Sequence, residues 1–396
     1  MFDELNPMPA DPILGLSVAY RADNNPDKVD LGVGVYKDET GNTPILESVK
    51  RAESMLLEAQ DTKAYINPKG DPDYIQGMEE LIYGKNHPAL LAKRIGSVQA
   101  PGGCGALRLG AELVRRSNGE TSVWMSGPTW ANHKPLFGDA GLQVKQYPYY
   151  DSDAKTICFD KMIETLQQVT AGDLVLLHGC CHNPTGADLT RSQWQVVAAL
   201  AQEKGFTPFV DVAYQGFGQG LDEVAYGIRL LAESVPELVL AASCSKNFGL
   251  YRERTGLLSV LLNTETQAQT AVSHAVNLAR GNYSMPPAHG PAIAGTVLKD
   301  KELYSLWESE VAQMRDRMNG LRSLLVDQLA AEGVTSGFAH INSQQGMFSF
   351  LGINVDQVKR LREEFSVYMV NSSRINIAGI SKNNIQYLAR SIAAVL

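Results

Sequence analysis

The chain of 396 residues has few cysteines, and their placing excludes a disulfide framework. There are five, an odd number: Cys104, Cys158, Cys180, Cys181 and Cys244. Two are adjacent and no CxxC pair occurs, so reduced thiols in a reducing compartment are expected. An excess of positive charge is missing as well. The 35 lysines and arginines face 43 acids, a net charge of −8 that argues against a nucleic-acid partner. No apolar run is long enough to span a membrane. The N-terminal MFDELNPMPADPILGL carries acids where a signal peptide needs bases, and it lacks a long apolar core. A cytoplasmic protein fits these absences. Internal repeats and low-complexity tracts are absent too. HGCCH at 178–182 invites a metal reading, but zinc sites use spaced pairs on two segments. Small residues at a buried strand end are the expectation there, and no metal. The length suits two domains better than one core.

What the sequence does have is alternation. From about 95 to 260, short apolar runs take turns with amphipathic stretches. IGSVQA precedes ALRLGAELVRR, SVWMSG precedes a helix-like stretch from Asn132, and DLVLLHG precedes SQWQVVAALAQEKG. FTPFVDVAY precedes AYGIRLLAESV, and ELVLAAS precedes GLLSVLL. This pattern predicts an α/β fold with a mostly parallel sheet covered by helices. Ligands of such sheets collect beyond the carboxyl ends of the strands. Five runs end in polar or glycine-rich groups: PGGCGAL, GPTWANH, CCHNPTG, Asp211 with Tyr214, and Ser245-Lys246. Past about 300 the character changes. A long helical run, LYSLWESEVAQMRDRMNGLRSLLVDQLAAEG, leads to strand-like GMFSFLG, helical VDQVKRLREEF and strand-like SRINIAGI. These read as a smaller α+β domain shared with DLGVGVYKD at 30–38. The expected division is an arm over 1–12, a large domain over 45–311, and a small domain from 13–44 with 312–396. Prolines at 7, 9 and 12 make the arm extended.

The strand ends suggest one ligand. In PGGCGALRLG the glycines let backbone approach closely, and a helix N-terminus favours an anion such as phosphate. Ser243 and Arg254 flank Lys246, and an arginine suits a phosphate dianion, although a surface ion pair would also explain Arg254. Asp211 at a strand end needs a cationic or N–H partner. His133 could hold it; a helix cap or loop acid is the plainer role. Trp130 could stack on a planar group or pack in the core. Asn183 and Tyr214 could bond a ligand oxygen, or serve a turn and plain packing; Asn183-Pro184 is a candidate cis bond. Pyridoxal phosphate is planar and offers a phosphate, a ring nitrogen, a phenolic oxygen and an aldehyde. A lysine amine made neutral by burial and a nearby arginine condenses with an aldehyde, which gives Lys246 a purpose. Asp211 would keep the ring nitrogen protonated.

The chain resembles the class I aminotransferases of the aspartate/aromatic subgroup along essentially its whole length. The likeness rests on LGVGVYKDETGNTPIL, AYINPKG, GGCGALR, GPTWANHK, HGCCHNPTGADLT, DVAYQGF, SKNFGLYRERTG, RGNYSMPPAHG, QQGMFSF and SSRINIAG. It implies a fold type I enzyme, a homodimer with shared sites, and transamination between amino acids and 2-oxo acids. By the same resemblance, Lys246 binds the cofactor covalently and shuttles a proton. Asp211, oriented by His133, pairs with the ring nitrogen, Trp130 stacks, and Tyr214 and Asn183 meet the ring oxygen. Gly103, Cys104, Ser243 and Arg254 hold the phosphate, with Tyr65 from the neighbouring subunit. Arg374 clamps the substrate α-carboxylate beside Gly34, Trp130, Asn183 and Phe348. Arg280 comes from the partner to a distal carboxylate. Two guanidinium forks imply a dicarboxylate. The resemblance leaves room for an aromatic preference and, more remotely, for a lyase. Three positions depart from the family pattern: Cys104 for Thr or Ser, Met285 for Asn or Ser, and Ser373 for Gly.

Overall fold

The computed structural model describes residues 2–7 and 12–396. The expected arm over 1–12 therefore falls partly on residues 1 and 8–11, outside the described residues. Residues 2–7 are exposed and lack helix or strand, and a helix, Pro12–Ala22, follows.

Seven strands make the main sheet: β1 (Ile95–Pro101), β2 (Ser122–Gly127), β3 (Gln143–Pro148), β4 (Leu174–His178), β5 (Thr207–Val212), β6 (Leu238–Ser243) and β7 (Thr255–Leu261). Their spatial order is β1-β7-β6-β5-β4-β2-β3. All neighbours are parallel except β7, which runs against both β1 and β6. The exception has a local cause. Parallel neighbours need a long crossover, usually helical. Between β6 and β7 there is only the loop of residues 244–254, so β7 returns antiparallel. That loop carries Lys246. β6 and β7 are buried at every residue, which suits their mostly apolar and small side chains. The edge strand β3, QVKQYP, is mostly half-exposed and has no apolar run to announce it.

Helices cover both faces. Gly102–Ser117 starts directly after β1, so its N-terminus sits at the carboxyl rim. Arg191–Lys204 is bounded by local chemistry: Thr190 and Gln193 form a reciprocal capping box, and Gly205 closes the helix with φ +71°. The predicted long helix spans Lys301–Ala331 and is capped by Asp300. Its Trp307 stacks on Phe248 at 4.4 Å and donates to the Asn247 carbonyl at 2.8 Å. One fully buried tryptophan thus pins the residue next to Lys246.

The chain ends meet in smaller sheets. Val29–Asp30 pairs in parallel with Val367–Tyr368. Strands β8 (Phe348–Phe350) and β9 (Arg374–Asn376) pair antiparallel, with Phe350 opposite Arg374. The Asn376 amide donates to the Val33 and Val35 carbonyls at 2.7 and 2.8 Å, fastening the strip that bears Gly34 beside β9. No helix among the described residues is long and apolar enough to cross a membrane.

Candidate active site

A cavity of about 260 Å³ opens at the carboxyl rim of the sheet. Its lining brings together most of the residues singled out from sequence: Gly34, Gly103, Cys104, Trp130, Asn183, Asp211, Tyr214, Ser243, Lys246, Arg254, Phe348 and Arg374. It also includes Ser245, named above with Lys246 at a strand end, and Tyr251, which was not singled out. Tyr251 lies inside the quoted SKNFGLYRERTG stretch, so its position was visible but its direction was not. The wall holds two guanidinium groups, Arg254 and Arg374, with the Lys246 amine and one acid, Asp211. Such a wall favours an anionic ligand. A wider cleft of about 1210 Å³ shares Trp130, Asn183 and Arg374 with the cavity.

One end of the cavity is shaped for a phosphate. Gly103, Cys104, Ser243, Ser245 and Arg254 line it, and the first N–H groups of Gly102–Ser117 are free of partners within the helix. Gly102 adopts φ +70°, and a Cβ there would fall 2.3 Å from Arg254 Nη2. The glycine is what lets the guanidinium lie against the helix start. Arg254 Nη1 donates to the Tyr251 carbonyl at 2.9 Å. Ser243 Oγ accepts from the Ser245 N–H at 3.2 Å.

In the middle stand Lys246 and Asp211. Burial pushes the Lys246 amine below its ordinary pKa, and Arg254 adds to this against the pull of Asp211 and Cys104. Its Nζ lies 5.1 Å from the Tyr214 ring centroid. Burial raises the Asp211 carboxyl, but the hydrogen bond donated by His133, helped by the electrostatic pull of the neighbouring basic side chains, outweighs it. The net shift is downward. Burial drives the Tyr214 phenol well up, so it stays protonated and can donate.

Behind Asp211 runs a chain of hydrogen bonds with one direction. Burial, then His133, pushes His178 down to about 3, so it is neutral at ordinary pH. A neutral imidazole has one N–H. The Asn183 N–H lies 3.4 Å from His178 Nδ1, which therefore accepts. His178 Nε2 then donates to Thr129 Oγ1 at 3.0 Å. Thr129 donates to His133 Nδ1 at 2.8 Å, and His133 Nε2 donates to Asp211 Oδ2 at 3.1 Å. His133 does not line the cavity; it orients Asp211 from behind and is wholly buried. Thr129 and His178 escaped the sequence reading, although both lie in quoted motifs. The histidines of HGCCH spend their nitrogens on protein groups. His182 meets Ser126 Oγ at 3.0 Å and Thr185 Oγ1 at 2.9 Å.

The far wall belongs to β8 and β9. Arg374 donates to the Gly32 carbonyl at 2.8 Å and to Asn183 Oδ1 at 3.4 Å. Its Nε is buried without a partner. The guanidinium carbon lies 4.3 Å from the Phe348 ring centroid, and Tyr214 meets the same ring edge-on at 6.1 Å. The Asn183–Pro184 bond is cis, as the sequence allowed. Two selected residues stay outside. Tyr65 is 92% exposed on the coil after helix Glu47–Ala59. Arg280 is exposed near the end of helix Glu265–Asn282, bonded to Ser284, in a surface depression with Arg108 and Glu112.

Residues 26–392 match the family described as aminotransferase class I and II. The aspartate aminotransferase of Escherichia coli K12 is 47% identical over 396 residues, covering all of both chains. The aromatic-amino-acid aminotransferase of Pseudomonas aeruginosa is 45% identical, over all of this chain and 98% of that one. The structure of an aromatic-amino-acid aminotransferase from Burkholderia pseudomallei, covalently bound to pyridoxal phosphate, superposes with a TM-score of 0.98. It is 42% identical and spans 100% of this chain and 99% of that chain. The chain belongs to the class I and II aminotransferase family, fold type I transaminases that depend on pyridoxal phosphate.

Proposed function

We propose that this transaminase exchanges the amino group of a dicarboxylic amino acid, aspartate or glutamate, with a 2-oxo acid such as 2-oxoglutarate or oxaloacetate, in two half-reactions at one site. The observation that carries this reading is Arg374: a cation on the cavity wall, hydrogen-bonded only to neutral oxygens, with a buried Nε left over. Such a group accepts a carboxylate through paired hydrogen bonds. Gly34, Trp130, Asn183 and Phe348 frame it.

The residues present fit the cofactor. Its phosphate goes to Gly103, Cys104, Ser243 and Arg254, where glycine at 102 keeps the guanidinium seated. Asp211, held in its charged form, suits a protonated ring nitrogen, and Tyr214 and Asn183 suit the ring oxygen. Trp130 offers a face. When bound, pyridoxal phosphate supplies an aldehyde for the amino group and a ring that draws electrons from the substrate Cα. Lys246 is the residue that links to it. The Lys246 amine, neutral when free, would take the proton from the substrate Cα. His133, Thr129 and His178 keep Asp211 in place and ionised. The small domain, 13–44 with 312–396, closes on the large domain, 45–311, and excludes water.

Tyr65 and Arg280 serve the neighbouring site in a homodimer: Tyr65 reaches the phosphate and Arg280 takes the distal carboxylate. Their exposure supports this reading. A preference for aromatic substrates is the second reading. It is favoured by Met285, an apolar side chain where the family pattern has an amide or hydroxyl. The enzyme works in the cytoplasm with its five cysteines unpaired. Side-by-side kinetics on aspartate, tyrosine and phenylalanine with one oxo acid test these points. Lys246→Ala should abolish steady turnover, and normal turnover would remove Lys246 from its role. Arg280→Ala should harm dicarboxylates far more than aromatics. Equal losses would take Arg280 out of substrate selection.

A further inference from the structure

Arg322 is the most conspicuous buried charge that the chemistry above does not use. It lies on the long helix Lys301–Ala331 and is 1% exposed. It forms no ion pair among the described residues. Instead its Nη2 donates to the Gly346 and Phe348 carbonyls, each at 2.8 Å. Nη1 donates to the Ile341 carbonyl at 3.3 Å and to Ser349 Oγ. Burial pulls its pKa down to about 10, so it is still a cation at neutral pH. A buried cation is costly unless its donors are well met. Here every acceptor comes from one short segment, 341–349.

That segment ends on the substrate wall. The Phe348 carbonyl is gripped by Arg322, while the Phe348 ring carries the Arg374 guanidinium at 4.3 Å. The same segment docks on the turn bearing Asn183. The Gln345 N–H donates to the Gly186 carbonyl at 2.7 Å, and a Cβ on Gly186 would lie 2.3 Å from the Phe348 carbonyl oxygen. Asn183 in turn accepts from Arg374. The guanidinium on the long helix thus fixes, through two carbonyls, the backbone on which both neighbours of Arg374 depend.

We propose that Arg322 is a positioning residue for the carboxylate clamp: it sets Phe348 beneath Arg374 and so holds Arg374 ready for substrate. This rests on the reading that Arg374 binds the substrate carboxylate. Apart from Asn183, the cofactor-binding residues lie on other elements, so the larger effect falls on substrate.

The test uses the holoenzyme. Arg322→Met keeps length and apolar packing but removes every donor. KM for aspartate and the dissociation constant of succinate, an unreactive dicarboxylate, should each rise about tenfold or more. Cofactor affinity and the absorption spectrum of the loaded enzyme should stay within twofold, and kcat should change less than KM. Arg322→Lys should recover part of the loss, since an ammonium can reach two of the carbonyls. Unchanged KM and succinate binding in a folded Arg322→Met would overturn the proposal. So would a loss of cofactor affinity as large as the loss of succinate affinity, which would mark a general collapse. Should Arg322→Met fail to fold, Ser349→Ala removes one acceptor alone. A rise of twofold or more in aspartate KM is expected there, and no change refutes the idea. Arg374→Ala separates the two layers: if that variant keeps succinate affinity, the clamp reading fails, whereas its loss beside an intact Arg322→Met condemns only the role given to Arg322.

Discussion

Replacing Gly34 by alanine should damage substrate binding by pushing one ring. The φ of Gly34 lies outside the left-handed region, so the backbone accepts alanine without strain. The added Cβ, however, would sit 2.9 Å from Phe348 Cζ. Carbon atoms rest at about 3.5–4.0 Å, so the ring must retreat by roughly 0.5–1 Å. It has nowhere empty to go. Arg374 lies over one face, Tyr214 meets it edge-on, and Phe348 is 2% exposed. Overpacking of this kind costs about 1–3 kcal/mol in stability. A displacement near 1 Å at a clamp can cost about a hundredfold in rate. We expect kcat/KM for aspartate to fall between about ten- and a hundredfold, with KM taking most of the change. Steady-state kinetics and a thermal melt measure both effects. Adding Phe348→Leu to Gly34→Ala removes the colliding carbon and should restore much of the lost kcat/KM. The reasoning fails if Gly34→Ala keeps kcat/KM within twofold, or if the leucine gives no recovery.

Thr129→Val keeps the shape of the side chain but breaks two links of the chain to Asp211. Stability should drop by about 1–3 kcal/mol for the buried nitrogens left unpaired. Cofactor affinity should weaken as Asp211 loses its orientation, and a urea titration with a cofactor titration would expose the absence of either effect. Asp188 is raised to about 6, chiefly by burial, although it accepts the Cys181 and His182 N–H groups at 2.7 and 2.8 Å. A raised carboxyl pKa adds stability below the unfolded value, near 3.8, and loses it as pH climbs through 6. Between pH 4 and 6 the urea midpoint of Asp188→Asn should therefore fall less steeply with pH than that of the parent, and parallel curves would contradict the assignment. Among the five thiols, Cys104 lines the cavity while Cys180, Cys181 and Cys244 are buried. Iodoacetamide should label Cys104 in the cofactor-free chain and spare it once cofactor is bound, with Cys158 as the unprotected comparison; peptide mass spectra reveal whether labelling ignores the cofactor.

The core of the site was legible because it stands on strands buried on both faces. LVLL, PFV and LVLAA are apolar, so the polar residues at or just after the end of each strand mark the rim, and the rim is where Asp211 and Lys246 were found. The pattern could not say which way a loop side chain turns. Tyr251 sits in the same motif as Lys246, yet only the antiparallel return of β7 brings it to the wall. Thr129 and His178 gain their meaning from each other, 49 positions apart in the chain. The edge strand QVKQYP was silent because an edge needs few apolar residues. Tyr65 and Arg280 were marked only by the motifs AYINPKG and RGNYSMPPAHG, not by a strand end, and the fold leaves both far out on the surface.

Ser373, where the family pattern has glycine, is held by hydrogen bonds in a conformation that favours glycine. It holds φ +69°, a conformation that costs a residue with a Cβ about 1–2 kcal/mol and that glycine enters freely. Three hydrogen bonds hold it there. Its N–H donates to the Val370 carbonyl at 3.0 Å, its carbonyl accepts from Leu351 N–H at 2.9 Å, and its Oγ accepts from Ile353 N–H at 3.0 Å. The last of these is open to serine and closed to glycine, so the hydroxyl offsets part of the strain that its own Cβ creates. Arg374 keeps its place opposite Phe350. On this side the clamp is tied down by serine and backbone, and on the other by Phe348. Neither tie uses a carboxylate. In a chain with net charge −8, Arg254 and Arg374 both lack an ion-pair partner among the described residues. Positioning by neutral groups leaves their charge for an anion that arrives from solution, and an acid placed to anchor either of them would compete with that anion for the same donors.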